Sequence, residues 1–370
     1  MSPLVDVPIS IAEGLDIVII SDYEVLIQFG TRSRPSELLR DDQLGGLLGE
    51  VMRRLLRGPK IFPELVDGLN AADCAEASAL VEDLLQRGIL VDAAKKPVEQ
   101  YLRYTHTGEG SLSTLRVCLI GTGPIGVRMA QSLLQQGLGH LSLLDDRPPD
   151  DLWYQFLPLG FTGKRVRSGA VHAVLGERLR AMGHEGVVCL EGGFSLEALE
   201  TATTETDLVV VALEQPALRL SHLVNRYCVR HEKPWLLLTI DGNFGLVGPL
   251  FVPVHTCCFN DYSTLADAAT PNRSMADKYR RYNLDKKDRS FFPGLPCYVD
   301  IVAGYGSLAA THFLLRQSSF ALGRVIAIDF DRMTIDVEDV LKLPRCPVCG
   351  PRKSLYQPPF SAQIVDHSGS

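Results

Sequence analysis

The 370-residue sequence lacks the features that define several large classes of protein. No apolar run approaches the ~18 residues that a helix needs to cross a bilayer. Positive charge is also scarce, because 37 Lys and Arg residues stand against 44 Asp and Glu residues and leave a formal charge of −7. A nucleic-acid backbone gains no overall attraction from this balance. The composition therefore argues against a membrane or a nucleic acid as the main partner.

The sequence also lacks the cysteine pattern of a disulfide-stabilised secreted domain. Its nine cysteines are odd in number, and most of them are scattered along the chain. Asp6, Glu13 and Asp16 lie where a secretory signal peptide would carry cations. These features predict a cytoplasmic protein. Hydrophobic residues make up 46% of a chain that is long enough for two or three globular domains.

A small α+β domain with the element order of a winged helix is predicted over residues 1–93. Two β-rich runs, at 16–20 and 24–29, are separated by a Ser-Asp-Tyr turn and indicate a hairpin. Three amphipathic helical segments follow, and the apolar run at 89–91 returns as a strand. The order strand, strand, three helices, strand is that of a winged helix.

The charge of the third helix favours one of the two common uses of a winged helix. Glu76, Glu82 and Asp83 outnumber Arg87, and DNA phosphates would repel an acidic recognition helix. A hairpin edge beside that helix is instead suited to accept an extended peptide as an added strand. The predicted peptide-binding residues lie on the second hairpin strand and the third helix, and they are Val25, Ile27, Phe29, Leu80, Leu84 and Gln86.

Beyond a polar linker at 94–115, the pattern changes to apolar strands that alternate with helices. This alternation predicts an α/β fold with a mostly parallel, doubly wound sheet of the Rossmann type. Residues 116–264 are predicted to form this nucleotide-fold domain. A charged, proline-containing stretch at 265–298 is predicted to be a long loop or flap, and residues 299–370 are predicted to contain a helix, strands and a Cys-x-x-Cys segment.

The strongest local signal is a G-x-G-x-x-G sequence directly after a predicted strand and at the start of a helix. Gly121, Gly123 and Gly126 permit a tight turn, and the helix N-terminus offers N–H groups to a phosphate. Asp145 ends the next strand and can accept hydrogen bonds from ribose hydroxyls. Two interpretations fit this pattern, a bound nucleotide and an empty glycine turn.

Together with later segments, this turn resembles a known superfamily. The supporting segments, in chain order, are 117–145, 207–215, 245–249 and the Pro-Arg-Cys-Pro-Val-Cys run at 344–349. They resemble the ThiF/MoeB-like, ubiquitin-activating-enzyme-like superfamily and, more narrowly, the ThiF-like proteins of thiazole/oxazole-modified peptide biosynthesis. The resemblance covers nearly the whole chain. It implies a peptide-recognition winged helix joined to a ThiF-like domain, and a homodimer.

Adenylating members of that superfamily use ATP and Mg²⁺, and the resemblance implies where such groups would bind here. Asp145 matches the ribose-binding acid, and Glu214 stands in place of the metal-binding Asp. Gln215 and Arg219 stand where the family pattern has an Asn and an Arg. Adenylation needs cations on the triphosphate and a carboxylate on the metal ion, because negative charge concentrates on the transferring phosphates.

Two departures from the family pattern put ATP chemistry in question. The expected Asp-x-Asp is Asp145-Asp146-Arg147, and the Asn-Leu-x-Arg-Gln segment that supplies an arginine is absent between 150 and 163. Three nearby cations either replace that arginine or form a solvated first turn of a helix, and the second interpretation is favoured because Lys and Arg are usually exposed. These cations are Lys164, Arg165 and Arg167.

A zinc site is the second candidate constellation. Cys346 and Cys349 form a C-x-x-C pair followed by a glycine, which is typical spacing for one half of a structural site. The other half is predicted from the adjacent Cys257 and Cys258, or from Cys258 with Asp261 as a C-x-x-D pair. The competing interpretation is two reduced cysteines in a turn that needs no metal.

No nucleophilic triad stands out in the sequence. The nine histidines show no H-E-x-x-H spacing, and Cys297 is more simply interpreted as an incidental thiol than as a reactive one. An NAD-type oxidoreductase uses the same glycine turn, but no catalytic acid and base pair is recognisable here.

The resemblance and the residues together predict a leader-peptide-binding partner protein that is either noncatalytic or weakly catalytic. Such a protein would present a ribosomal precursor peptide to a YcaO-type cyclodehydratase, which closes Cys, Ser or Thr onto the backbone to form azolines. An edge strand binds many leader sequences through main-chain hydrogen bonds, and tethering raises the local concentration of the remaining peptide. The alternative is an ATP-dependent adenylating enzyme that acts on a peptide carboxylate or amide.

Overall fold

Residues from three parts of the chain form the first of two units in the computed structural model. This unit comprises 1–115, 131–140 and 311–318, and the second unit comprises 116–130, 141–310 and 319–370. The structure describes residues 7–30, 32, 36–41, 45–105, 111–157, 169–285, 291 and 294–350.

The first unit contains a three-stranded antiparallel sheet and a separate pair of short strands. In chain order its elements are β1 (Ile9–Ile11), β2 (Asp16–Ile19), β3 (Glu24–Gln28), β4 (Glu37–Arg40), α1 (Leu47–Leu56), α2 (Phe62–Leu65), α3 (Ala71–Gln86), β5 (Leu90–Asp92) and α4 (Pro97–Thr105). The predicted hairpin is β2 with β3, and β4 pairs with the other side of β3. The closing strand β5 pairs with β1 rather than with the hairpin. Helix α4 lies within the segment predicted to be a linker.

Helical spacing and capping explain the packing of the first unit. Val51, Met52 and Leu55 are buried on one face of α1. Helix α3 begins after Asn70, whose side chain accepts hydrogen bonds from the first turn, at 2.9 Å from the N–H of Ala72. Both helices pack against β3 in one apolar cluster. The inner face of β3 is therefore part of the core.

The residues that follow the predicted linker at 94–115 form a large mixed sheet with helices. Its elements are β6 (Arg116–Ile120), α5 (Pro124–Gln135), β7 (His140–Leu144), α6 (Asp151–Gln155), α7 (Val171–Ala181), β8 (Val187–Cys189), α8 (Leu196–Thr204), β9 (Leu208–Leu213), α9 (Leu218–Arg230), β10 (Trp235–Asp241), β11 (Phe244–Phe251), α10 (Phe259–Ala269), α11 (Arg273–Asp285), α12 (Pro296–Arg316), β12 (Arg324–Asp329) and β13 (Thr334–Asp339). The strand order is β13-β12-β11-β10-β9-β6-β7-β8. This arrangement confirms the predicted doubly wound α/β fold.

Both faces of the large sheet are covered by helices. Leu237 of β10 packs in the apolar cluster that includes residues of α9 and α10. The next residue, Leu238, points to the opposite face, where the backbone of Gly306 in α12 approaches it closely. Burial on both sides explains why β9 and β10 are nearly continuous apolar runs.

The stretch at 265–298 differs from the loop or flap predicted from its charge. It contains the end of α10, the whole of α11 and the start of α12. Charged residues are compatible with a helix that has an exposed face, and the sequence pattern did not separate this case from a loop. No helix in the described part of the chain is long and apolar enough to cross a membrane.

Candidate functional site

The glycine-rich turn between β6 and α5 lies against the end of β9. Gly121 has a φ of +94°, and a side chain there would collide with the backbone oxygen of Ala212. A Cβ at Gly123 would collide with the carboxylate of Glu214, the residue that follows β9. Gly126 allows a similarly close approach to the backbone of Gly121. The glycines therefore bring the turn and Glu214 into direct contact.

Asp145, which follows β7, is buried and receives hydrogen bonds from its own chain on both oxygens. Its Oδ2 accepts from the backbone N–H of Thr122 and from Nη2 of Arg147, both at 2.7 Å. Its Oδ1 accepts from Nε of Arg147 at 2.9 Å and from the backbone N–H of Arg147 at 3.1 Å. The carboxylate predicted to accept ribose hydroxyls therefore already has protein donors.

Arg147 joins Asp145 to Glu214, and we call these three residues the ion network. Nη1 of Arg147 donates to Oε2 of Glu214 at 2.8 Å. The guanidinium also lies over the ring of Phe291, 4.3 Å from its centroid. Arg147 is 6% exposed, and both acids are buried. Close pairing of this kind offsets the cost of removing the three charges from water.

The two acids of the ion network differ in their pKa. Burial acts to raise the pKa of Asp145, but the charge and hydrogen bonds of Arg147 and the Thr122 N–H outweigh it, and the pKa is lowered. Burial raises the pKa of Glu214, and Arg147 offsets only part of this effect. Within the described residues, Oε1 of Glu214 has no hydrogen-bond partner. Glu214 is therefore the weaker acid of the pair.

The ion network does not fit the requirements of a bound triphosphate. The Nε and Nη2 edge of Arg147 is held by Asp145, and its Nη1 is held by Glu214. A phosphate would have to compete with two buried carboxylates for this guanidinium. Arg219 lies exposed on α9, outside the network. The other three predicted cations, Lys164, Arg165 and Arg167, lie outside the described residues.

Helix α6 places an indole, and not a cation, against the glycine-rich turn. Trp153 is fully buried, and its Nε1–H donates to the backbone oxygen of Thr122 at 2.9 Å. The segment 151–156 stands where the family pattern has its Asn-Leu-x-Arg-Gln. This segment therefore contributes packing to the turn.

Four side chains from two distant parts of the chain converge at the start of α10, and we call them the thiol–carboxylate cluster. Cys258, Asp261, Cys346 and Cys349 each place one ligand atom within 4.8 Å of the others. Sγ of Cys258 is 3.6 Å from Sγ of Cys346, and Sγ of Cys349 is 3.1 Å from Oδ2 of Asp261. Zn²⁺ with tetrahedral bonds of about 2.0–2.3 Å suits ligand atoms roughly 3.3–3.8 Å apart, so the pair of sulfurs lies within this range and the sulfur–oxygen pair is slightly closer. The donor set therefore fits zinc.

The structure corrects the predicted ligand Cys257. This residue is buried in the apolar core rather than in the thiol–carboxylate cluster, and burial raises the pKa of its thiol to about 12. Asp261, from the alternative C-x-x-D pair, completes the set instead. Its Oδ2 accepts from the N–H of Cys258 at 3.0 Å, and its buried Oδ1 has no partner among the described residues. A cation would satisfy this orphaned oxygen.

The structure also corrects part of the predicted peptide-binding surface. Strand β3 is the middle strand of its sheet, so it is not an edge. Val25, Ile27 and Leu84 are fully buried in the core of the first unit and cannot contact a ligand. Of the other predicted residues, Phe29 and Leu80 are half-buried and Gln86 is exposed.

The edge of the three-stranded sheet next to α3 is β4. The N–H of Asp41 donates to the backbone oxygen of Tyr23 at 2.9 Å, and hydrogen-bonded pairs alternate along antiparallel strands. Leu39 therefore bonds to β3, whereas Leu38 directs its N–H and C=O away from β3. In the described structure, no strand pairs with that side of β4. We call it the β4 edge.

Helix α3 flanks the β4 edge. Arg87, which caps the C-terminus of α3, forms ion pairs with Glu37 of β4 and with Asp83 of its own helix. Leu38 is 38% exposed on the outer face of β4. The end of α3 and the start of β4 are therefore held side by side, and main-chain groups of β4 point away from β3 along this edge.

Comparisons with known proteins agree with this architecture. A sequence model of the ThiF family matches residues 99–348. A crystal structure of E. coli MccB with ATP has a TM-score of 0.61 at 16% identity, covering 93% of this chain and 100% of the other. The microcin C7 biosynthetic enzyme MccB in complex with N-formylated MccA has a TM-score of 0.61 at 17% identity, with the same coverage.

A third structure is considerably longer than this chain. The heterocyclase TruD has a TM-score of 0.61 at 15% identity, and the match covers 98% of this chain but 47% of TruD. At these identities the three structures establish a shared fold. No curated protein matches the sequence significantly.

The sequence predicts most residues of the candidate site but does not predict that Arg147 pairs with both Asp145 and Glu214. The glycines, Asp145 and Glu214 do meet, as the order of strands and the motif indicate. In the sequence, Arg147 stands out only as a departure from Asp-x-Asp, although its position two residues after Asp145 is a signal for a local ion pair. Its contact with Glu214 spans 67 residues of chain and depends on the tertiary structure.

Proposed function

The chain belongs to the ThiF family, and from that premise we propose that it is a leader-peptide-binding partner protein. It presents a ribosomal precursor peptide to a YcaO-type cyclodehydratase for thiazole or oxazole formation, and it does not itself turn over ATP. The observation that carries this proposal is the ion network, in which Arg147 occupies both acids that a nucleotide site would use. We also propose that the protein forms the homodimer that the family resemblance implies.

The absence of ATP turnover follows from the charge of the ion network. Phosphoryl transfer needs cations that are free to face the phosphates. Arg147 is instead held by two carboxylates in a buried site, and Trp153 occupies the segment where an arginine is expected. A nucleotide would have to break these contacts to bind, and each buried charge would then lose its partner.

Peptide binding is assigned to the β4 edge. Leu38 and Arg40 direct main-chain groups outward there, so an extended peptide gains hydrogen bonds as a fourth strand. Helix α3 supplies the second wall of the site through its flank near Arg87. Its acidic residues favour a leader without excess negative charge. This chain covers 47% of the longer heterocyclase TruD. That difference in length supports the proposal that a separate partner protein supplies the remaining activity.

The thiol–carboxylate cluster is proposed to hold a structural Zn²⁺. Cys258 is the N-cap of α10 and Asp261 lies in its first turn, whereas Cys346 and Cys349 belong to the segment after β13. A closed four-ligand site of this kind joins distant segments and contributes directly to folding. A bound ion would stabilise the fold here and would take no part in a reaction.

Leu38→Pro is expected to weaken binding of the leader peptide about tenfold or more. Proline removes the outward N–H, and leaving one buried partner without its hydrogen bond costs ~1–3 kcal/mol, where 1.4 kcal/mol is tenfold. Pairing of β4 with β3 is retained because that N–H does not face β3. The measurement is fluorescence anisotropy with a labelled leader from a Cys/Ser/Thr-rich precursor encoded beside the protein.

Leu38→Ala is the matched control for this substitution. It removes the exposed side chain but keeps the N–H, so the leader should bind within about threefold of the native affinity. Similar affinities for Leu38→Pro and the native chain would place the leader elsewhere. Circular dichroism of both variants checks that the small unit remains folded.

Adenylation is the second candidate function, and it is favoured by the full coverage of MccB in a structure with ATP. We expect purified chain with Mg²⁺, ATP and the precursor peptide to release no pyrophosphate above the rate without protein. Addition of the YcaO-type partner should produce azolines under the same conditions. Pyrophosphate release by the chain alone, lost in Glu214→Gln, would favour adenylation instead.

A further inference from the structure

Two rows of residues cross the large sheet, from β10 to β13, on the face that α12 covers. Residues paired across neighbouring antiparallel strands point to the same face. One row is Leu238, Val247, Ile326 and Val337, and the other is Ile240, Gly245, Ile328 and Ile335. Gly306 of α12 lies against Leu238, and a side chain at Gly245 would meet Val302 of the same helix. Both rows therefore lie beneath or beside α12.

The cover over these rows ends before the last strand of the sheet. Ile326 and Ile328 of β12 are each 3% exposed, whereas Ile335 and Val337 of β13 are 48% and 56% exposed. We call Ile335 and Val337 the β13 strip. Two further exposed apolar residues lie at the ends of this strand, Met333 and Leu341. In the described part of the chain, the helical layer on this face thus stops one strand short of the edge.

Helix α11 carries an apolar stripe that is exposed to solvent. Met275, Tyr279 and Tyr282 follow one another at intervals of four and three residues, which places them on one face of the helix. Each of the three is between 60% and 63% exposed. This spacing of large apolar side chains is the pattern by which an amphipathic helix docks on an apolar surface. We call these three residues the α11 stripe.

The α11 stripe does not cover the β13 strip of its own chain. Helix α11 lies beside α9 and α10, and those two helices pack on the face of the sheet to which Leu237 points. The β13 strip lies on the opposite face, that of α12. Both surfaces are therefore exposed in one chain, and the helix of one copy can meet the strand of another.

Charge and length both favour this pairing. The β12–β13 hairpin, residues 324–339, contains five acids and two arginines, and both arginines already form ion pairs with acids of the same hairpin. On α11, Arg273, Lys278 and Arg281 are exposed against the single exposed acid Asp277. The 13 residues of α11 form a helix about 20 Å long, and the 6 residues of β13 span about 20 Å. A cationic helix thus matches an acidic strand of equal length.

We propose that two copies of the chain associate through these surfaces, with the α11 stripe of each copy docked on the β13 strip of the other. A two-fold axis forms the contact twice and closes the assembly at a dimer. Each docked helix extends the layer of α12 over the last strand, so both apolar surfaces leave water. The inference rests on the homodimer of the proposed function and names the surfaces that form it.

Val337→Arg and Tyr279→Glu each alter one side of the contact. The measurement is the dissociation constant of the full-length dimer, obtained by sedimentation velocity over a concentration series. Each substitution puts a charge into an apolar contact that occurs twice, so we expect the dissociation constant to rise about a hundredfold or more. Both positions are exposed in the single chain, so circular dichroism should show unchanged folding.

Thr334→Arg is the matched control for Val337→Arg. Thr334 is an exposed residue of the same strand, but the alternation of side chains points it to the opposite face. This control should dimerise within about threefold of the native affinity, because the new charge stays in water. Equal weakening by Thr334→Arg and Val337→Arg would overturn the proposed face.

A mixture of the two variants tests whether the contact is reciprocal. The mixed dimer has one native contact and one contact in which the two introduced charges are opposite. We therefore expect the mixture to associate at least about tenfold more tightly than either variant alone. No gain on mixing would overturn the pairing of these two surfaces.

The native chain supplies the remaining outcomes. A dimer that neither substitution weakens would reject these surfaces and leave the homodimer of the proposed function in place. A monomeric native chain would reject the dimer itself, and a lower melting temperature of Val337→Arg in that case would indicate that the chain's own residues cover the strip. Leader binding at the β4 edge is measured separately by fluorescence anisotropy. Its loss in a chain that dimerises as expected would reject the leader-binding role alone.

Discussion

Replacement of Arg147 by methionine is expected to lower the free energy of unfolding by about 3–5 kcal/mol at pH 7.5. Methionine keeps much of the length of the side chain but leaves Asp145 and Glu214 buried without a counter-charge. The stacking of the guanidinium on Phe291 is also lost. Urea unfolding followed by circular dichroism measures the change.

The loss in the Arg147→Met variant should become smaller as the pH falls. In the native chain, Arg147 lowers the pKa of Asp145, so this group stabilises the fold above the ordinary carboxyl pKa and loses that effect in acid. Without Arg147, burial raises the pKa of Glu214 further, and at Asp145 it is opposed only by the backbone N–H groups of Thr122 and residue 147. The folded variant therefore binds more protons than the unfolded chain and gains stability as the pH falls. An equal loss at pH 5 and pH 7.5 would contradict the buried charges of the network.

Arg219→Met provides the matched control for this experiment. It is the same substitution at an exposed position outside the ion network, and its effect should stay within about 0.5 kcal/mol. Adding Glu214→Gln to Arg147→Met should recover part of the loss, because one uncompensated charge is removed. If Arg147→Met proved as mild as the control, the argument against ATP binding would lose its basis.

Substitution of Cys346 by serine is expected to abolish zinc binding to the purified chain. Elemental analysis should find about one zinc per native chain and less than about a tenth of that in the variant, because three ligands remain. The melting temperature should fall by several degrees, since about 1 kcal/mol corresponds to roughly 2–4 °C in domains of this size.

Cys257→Ala and Asp261→Asn separate the ligands from their neighbours. Cys257 lies next to Cys258 in sequence but in the apolar core, so its loss should leave the zinc content unchanged. Asparagine at 261 can still accept from the N–H of Cys258 and cap α10, but it lacks the charge of the native ligand. Full zinc content in Asp261→Asn, or a native chain without zinc, would contradict the proposed site.

Several parts of the fold were readable from local patterns because they depend on local physics. The apolar runs of β9 and β10 indicated strands buried on both faces, and the long apolar segment before residue 316 indicated α12. The glycine-rich turn followed from residues that only a tight, close-packed backbone requires. The C-x-x-C pair and its following glycine indicated one half of the metal site.

Other features were decided by contacts between residues far apart in the chain. The sequence by itself determined the doubly wound sheet, the turn and the acids beside it, because periodicity and glycine placement act over a few residues. Tertiary structure alone decided that Arg147 reaches Glu214, that Asp261 rather than Cys257 meets the late cysteines, and that β4 shields β3 from the sheet edge. Each of these depends on which surfaces are buried together, and no local pattern specifies that.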